Sequence, residues 1–112
     1  MATDLARMQL ALEMARGAQQ HDEVPVGAVL VDAKGQLLAQ THNRCIGLSD
    51  PTAHAEMLAI RRAAETLGRE RLDGCELWVT LEPCAMCAGA IAHARIARLY
   101  YGAPDAKGGA VE

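Results

Sequence analysis

Two short stretches, Thr52-Ala53-His54-Ala55-Glu56 and Glu82-Pro83-Cys84-Ala85-Met86-Cys87, constrain this chain more than anything else in it. They supply one imidazole, two thiols and one spare carboxylate. Cys84 and Cys87 are three apart at the start of a predicted helix, which puts both sulfurs on one face of its first turn. The free N–H groups and the positive dipole end at that point favour thiolate over thiol. A fold that uses the four groups together must open two helix-starting junctions on the same edge of one sheet. Zinc prefers tetrahedral sulfur and nitrogen donors, and a catalytic zinc takes three protein ligands and leaves its fourth position to water. His54, Cys84 and Cys87 are the candidate ligands. Glu56 follows His54 by two, and residues two apart on a helix diverge by about 200°. The pair can share a site only beyond the open end of the helix, where Pro51 and Thr52 place them. Glu56 then stands beside the metal without binding it, in position to take a proton from the bound water.

Two other readings of the same residues compete with this one. A purely structural zinc normally needs four protein ligands, and the fourth would have to be His42, His93, His21, Cys45 or Cys75, none at convincing spacing. A redox Cys-x-x-Cys leaves His54 and Glu56 without a role. Cys45 and Cys75 read as bystanders, Cys75 as a small buried hydrophobe at a strand edge. The N-terminus has no apolar signal segment and no run is long enough to cross a bilayer, so a reduced, cytoplasmic setting with metal-binding thiols is expected.

The remaining residues read as a frame for these two stretches. A chain of 112 residues suits one domain. With one Trp, two Tyr and no Phe, its core must come from Leu, Ile, Val, Met and Ala. The net charge of −3 carries no electrostatic sign of nucleic-acid binding. A helix is predicted from Thr3 to about Gln20, capped by Thr3 or Asp4, with Leu5, Met8, Leu12 and Ala15 on its inner stripe. His21-Asp22-Glu23 is a polar exit. Val26 to Asp32 reads as a strand buried on both faces; Gly27 within it permits a bulge, a close ligand approach or plain packing against a helix. A tight turn through Gly35 leads into a second strand from Gln36 to about Asn43, making a hairpin. A helix from about Ala53 to Leu67, with Thr52 as candidate cap and Met57, Ile60 and Ala64 inward, ends at Gly68. Glu76 to Leu81 is a third strand. Pro83 starts a third helix that runs to about Ala94 with Cys87, Ala88 and Ile91 on one side, and Ala97 to Gly102 is a fourth strand. The closing strand-helix-strand implies a right-handed crossover between parallel strands. The expected architecture is α/β, a three-layer α/β/α sandwich with a mixed central sheet.

The longer phrases carry a family likeness. His-x-Glu followed by Pro-Cys-x-x-Cys is the signature of zinc deaminases. Around it, Val24–Val31, His42-Asn43-Arg44, Asp50–Glu56, Leu77–Cys84, Met86–Ala90, Tyr101–Ala103 and Asp105–Lys107 resemble the cytidine deaminase superfamily, and within it the bacterial tRNA adenosine deaminases. The resemblance implies one Zn2+ per chain, with a bound water or hydroxide, held by His54, Cys84 and Cys87, and Glu56 as the proton shuttle. It implies that Asn43 hydrogen-bonds the nucleoside, the alternative being a strand-end Asn that satisfies a turn. The backbone at Ala55 would line the base pocket. Asp105 and Lys107 would meet RNA, or else form a plain solvated turn. The activity implied is hydrolysis of adenosine to inosine at the wobble position of tRNA, with the target base swung out of the anticodon loop. Deamination of a free nucleobase, guanine or cytosine, is the runner-up, and a zinc-stabilised interaction domain the third reading. The resemblance also implies a homodimer. Family members continue into a further strand and a C-terminal helix, so residues 1–112 are expected to be a single zinc-dependent deaminase domain without those two elements.

Overall fold

Five consecutive residues, Gly27–Val31 (β1), are buried without a break, and the other elements are laid around them. The structure is a computed structural model that describes residues 2–111. Leu37–His42 (β2) pairs antiparallel with one edge of β1, and Glu76–Leu81 (β3) pairs antiparallel with the other. Arg98–Ala103 (β4) runs parallel to β3, so the mixed sheet has the order β2-β1-β3-β4. The hairpin turn is built as its residues dictate: one Asp32 side-chain oxygen accepts from the amides of Lys34 and Gln36 at 2.9 Å each. Gly35 takes a φ of 84° there, a region L side chains avoid.

Side chains alternate across β1 and divide the interior in two. Ala28 and Leu30, with Ala39, Leu77 and Val79, pack under Ala55–Leu67 (α2) and Ala85–Ala94 (α3). Val29 and Val31, with Trp78, face Ala2–Gln19 (α1) on the opposite side. Three layers result, as the sequence pattern predicts. On the α1 side Trp78 stacks on Tyr100 across the β3–β4 pair with ring centroids 4.5 Å apart. The Arg7 guanidinium lies 4.8 Å above the Trp78 ring.

The inner face of α1 keeps Met8 and Ala15 of the predicted stripe and is completed by Ala11 and Ala18, whereas Leu5 and Leu12 are 62% and 42% exposed. Gly27 sets how closely the middle of the helix approaches the sheet. A Cβ at that position would collide with the Ala11 carbonyl oxygen and lie 2.6 Å from the Ala15 amide nitrogen. The helix backbone rests almost directly on β1 at Ala11 and Ala15, where nothing larger than Ala fits; Met8 and Leu10 pack beside them against Val29, Val31 and Trp78, and Leu5 and Leu12 lie off this face. Gly27 is therefore a packing glycine; the irregularity in the β1–β2 register falls at Leu30/Val31 instead, and Gly27 lines neither cavity. Gly27→Ala is expected to lower unfolding stability by about 3 kcal/mol, the upper range for overpacking a tight contact, as read from urea midpoints. An unchanged midpoint would refute this account of the α1 face.

Helix starts also shift. α1 begins at Ala2, ahead of both Thr3 and Asp4. α2 begins at Ala55 with His54 as its N-cap, and Thr52 is not a cap. The Thr52 hydroxyl and amide both donate to Asp50 Oδ1, at 2.7 and 2.8 Å. The buried face of α2 is Ala55, Glu56, Ala59 and Ala63; Ile60 and Ala64 pack at its margin, and Met57 is only half-buried. α3 begins at Ala85 with Cys84 as N-cap, which puts Pro83 one residue before the cap instead of inside the first turn. Gly68 ends α2 with a φ of 68°, its amide donating to the Ala64 carbonyl as a left-handed cap does.

Candidate metal centre

Both candidate metal-binding stretches sit at helix N-termini, and in both the capping position is given to a candidate ligand. His54 and Cys84 have extended backbones, with φ, ψ of −71°, 152° and −73°, 176°, and neither side chain caps its own helix. Freed from capping, the imidazole and the thiol reach across the gap between α2 and α3. Cys87, three residues on, turns its sulfur to the same point. His54 Nδ1 lies 3.7 Å from Cys84 Sγ and 3.5 Å from Cys87 Sγ, and the three donor atoms fall within 4.8 Å of one another. All four cysteines are free thiols. Among the described residues no fourth His, Cys, Asp or Glu joins the group.

The donor set fits zinc. With usual Zn–S and Zn–N bonds, a tetrahedral ion separates its sulfur and nitrogen ligands by about 3.6 Å, the spacing already present. Three protein ligands and one open corner is the catalytic pattern, and the missing fourth side chain argues against the structural one. Glu56, the second residue of α2, is 4% exposed. Burial raises its pKa; its own backbone amide, His54 and Cys87 oppose that in part. Burial likewise pushes the Cys87 thiol far up, and the neighbouring charges of Glu56 and Cys84 add to the effect. A cation between these groups would favour the ionised form of each.

A pocket of about 300 Å3 opens over the cluster. His54, Glu56 and Cys84 form its floor, Asn43 lies alongside, and Asp105 stands on its wall. Cys87 is completely buried beneath. Ala55 is also fully buried; its carbonyl accepts the Thr41 hydroxyl at 2.7 Å, and it is not on the pocket lining. Lys107 is exposed, and its amide donates to Asp105 Oδ1 at 3.1 Å. A larger depression of about 1060 Å3 runs along β2 between α1 and α2 and holds none of the three candidate ligands.

Four polar lining residues have no predicted role in the site: Asp22, Glu23, Cys45 and Glu82. Glu82 is 4% exposed. Its two carboxylate oxygens accept from the amides of Asp105 at 3.0 Å and Val111 at 2.8 Å. The neighbouring backbone closes the same seam, Glu82 N–H to the Ala103 carbonyl and Ala110 N–H to the Pro83 carbonyl. Glu82 thus stitches the 103–111 segment to the turn that carries Cys84. Glu82→Ala leaves two amides without their acceptor and is expected to cost about 1–3 kcal/mol. Hydrogen exchange should quicken at Asp105 and Val111 while zinc content stays at one per chain; unchanged exchange at both amides would contradict the assignment.

Comparison with known proteins agrees with this geometry. Residues 1–103 match the family described as the cytidine and deoxycytidylate deaminase zinc-binding region. A tRNA-specific adenosine deaminase from Agrobacterium fabrum is 62% identical over 105 residues, covering 94% of this chain and 68% of that protein. A solved structure from studies of A-to-I editing by tRNA:A34 deaminases superposes with a TM-score of 0.95 at 60% identity, over 97% of this chain and 83% of the other. Guanine deaminase from Bacillus subtilis superposes with a TM-score of 0.85 at 39% identity, over 88% of this chain and 63% of that one. The chain spans about two thirds of the length of the curated relatives it matches. With three side chains converging as a metal ion would need, an adjacent buried carboxylate and a family match over nearly its whole length, the chain belongs to the cytidine and deoxycytidylate deaminase zinc-binding family.

Proposed function

We propose that the protein is a zinc-dependent hydrolytic deaminase that converts adenosine to inosine at the wobble position of tRNA. The observation that carries the reading is the open-cornered cluster of His54, Cys84 and Cys87 with Glu56 buried on the adjoining first turn. When bound there, zinc supplies a water acidified toward neutrality. Glu56 would take one proton from that water at its carboxylate and give it to the ring nitrogen, then take the second from the hydroxyl on the ring carbon and give it to the departing amine. The oxygen of water stays on the ring carbon, and the amino group leaves as ammonia. A cavity of about 300 Å3 admits one nucleoside, not a stacked strand, so the target base must leave its stack to react. Asn43 holds the nucleoside beside this centre, the backbone at Ala55 supports the pocket from behind, and Asp105 and Lys107 meet the flanking RNA. We read residues 1–112 as one deaminase domain, acting in the cytoplasm as a homodimer. Light scattering on the zinc-loaded protein should show twice the chain mass. No helix among the described residues is long and apolar enough to cross a membrane.

One observation favours a second reading. Asp22, Glu23, Glu56, Glu82 and Asp105 all line the pocket, an acidic setting that suits a neutral base better than a phosphate backbone. Deamination of free guanine or cytosine is that alternative. A substrate panel decides: ammonia and inosine from an adenosine-containing anticodon stem-loop support tRNA editing. Turnover of free guanine or cytosine with no inosine in the RNA would replace it.

A further inference from the structure

Glu23 follows α1 in the turn leading to β1, is 6% exposed, and faces the pocket. Three N–H groups converge on it. Gly47 N–H reaches Oε2 at 2.7 Å, Ile46 N–H reaches Oε1 at 3.1 Å, and Asn43 Nδ2 approaches Oε1 at 3.5 Å. All three donors lie 20 or more residues away in sequence. Burial works to raise the Glu23 pKa, but the Gly47 and Ile46 amides, with His42 and Arg44 nearby, outweigh it and hold the group below the usual carboxylate range.

An ionised carboxylate only accepts hydrogen bonds, whereas a side-chain amide has a donating and an accepting end. Glu23 therefore settles which way Asn43 faces: the nitrogen must turn to Glu23, and the oxygen is left on the other side, 3.7 Å from Cys45 Sγ. The Asn43 backbone needs no such help, since its amide already donates to the Val26 carbonyl at 3.1 Å. What Glu23 controls is the direction of one amide and the placement of the 44–49 loop, whose Cys45 and Ile46 form part of the pocket wall.

We propose that Glu23 is a positioning residue that fixes the donor and acceptor ends of Asn43 and holds the 44–49 wall, and so determines how the nucleobase-bearing substrate is gripped. This rests on the proposed function in one respect, that Asn43 touches the substrate. Glu23→Gln keeps size and burial but lets the residue at 23 both donate and accept, so Asn43 can flip and one loop amide meets a donor.

The test combines kinetics and spectroscopy on the zinc-loaded enzyme. Glu23→Gln should keep one zinc per chain and raise KM for the anticodon stem-loop by about 10- to 100-fold, with kcat within about threefold, because a contact made equally in ground and transition states appears in KM. Glu23→Asp, which preserves the acceptor-only group, should recover part of the loss. In an Asn43→Ala background, Glu23→Gln should add less than about threefold, since coupled neighbours are not additive. Independently of any substrate, Glu23→Gln should shift or double the Asn43 side-chain amide resonances and those of Ile46 and Gly47 in nitrogen-15 spectra. Fully additive kinetic losses, or unaltered resonances at all three residues, would overturn the proposal. If the resonances change but the wild-type enzyme makes no inosine, the tRNA reading falls and the positioning role stands.

Discussion

Glu56→Gln is expected to abolish deamination while leaving the zinc in place. Proton transfer by a positioned side chain contributes roughly 10²–10⁴-fold to rate, and Glu56 is the one carboxylate on the helix turn that His54 caps, buried at 4% exposure against Cys87. The amide has nearly the same volume, so the packing of α2 against the sheet survives, but it cannot accept and release a proton at neutral pH. The loss should therefore appear in kcat, measured as ammonia release, with zinc still at one per chain by metal analysis. A variant that keeps wild-type kcat would remove Glu56 from the chemistry. A zinc site with only a structural role has no activity to lose, so the same variant separates an enzyme from an interaction domain.

The second large effect belongs to Cys87. Cys87→Ser should drop zinc from one per chain to near none, eliminate turnover and lower thermal stability. An ion present at about a thousand times its Kd stabilises the folded state by about 4 kcal/mol, which for a domain of this size corresponds to a fall in Tm on the order of 15 °C. Cys75→Ser is the control. That thiol is also buried, at 1% exposure, but stands outside the cluster, so it should lose some stability and no metal. Equal zinc content in the two variants would mean that Cys87 is not a ligand. Chelation of the wild-type protein should reproduce the Cys87→Ser result and be reversed by added zinc.

The metal cluster was legible from sequence because local rules suffice for it: three-residue spacing at a helix start aims two sulfurs together, and a His ahead of a second helix supplies the third donor. The strands were legible for a similar reason, since the unbroken apolar run at 27–31 can only be covered on both faces. The α1 face was legible only in part. Met8 and Ala15 lie on it, but Leu5 and Leu12 do not, because it is centred on Ala11, Ala15 and Ala18, where Gly27 brings the helix backbone against β1. Pro83 and Thr52 each misled by two positions because candidate ligands occupy the true caps. Glu23 and Glu82 were invisible as pocket elements for a different reason: each accepts backbone amides more than 20 residues away, and a carboxylate that serves distant N–H groups has no local pattern to betray it.

The two uncapped helix starts have a consequence for how the molecule is held together. First-turn amides that no side chain covers are prone to fraying, and at His54 and Cys84 the capping side chains are turned toward each other and Cys87 instead. An ion held by His54, Cys84 and Cys87 would tie the start of α2 to the start of α3, two helices that no covalent link joins at that end.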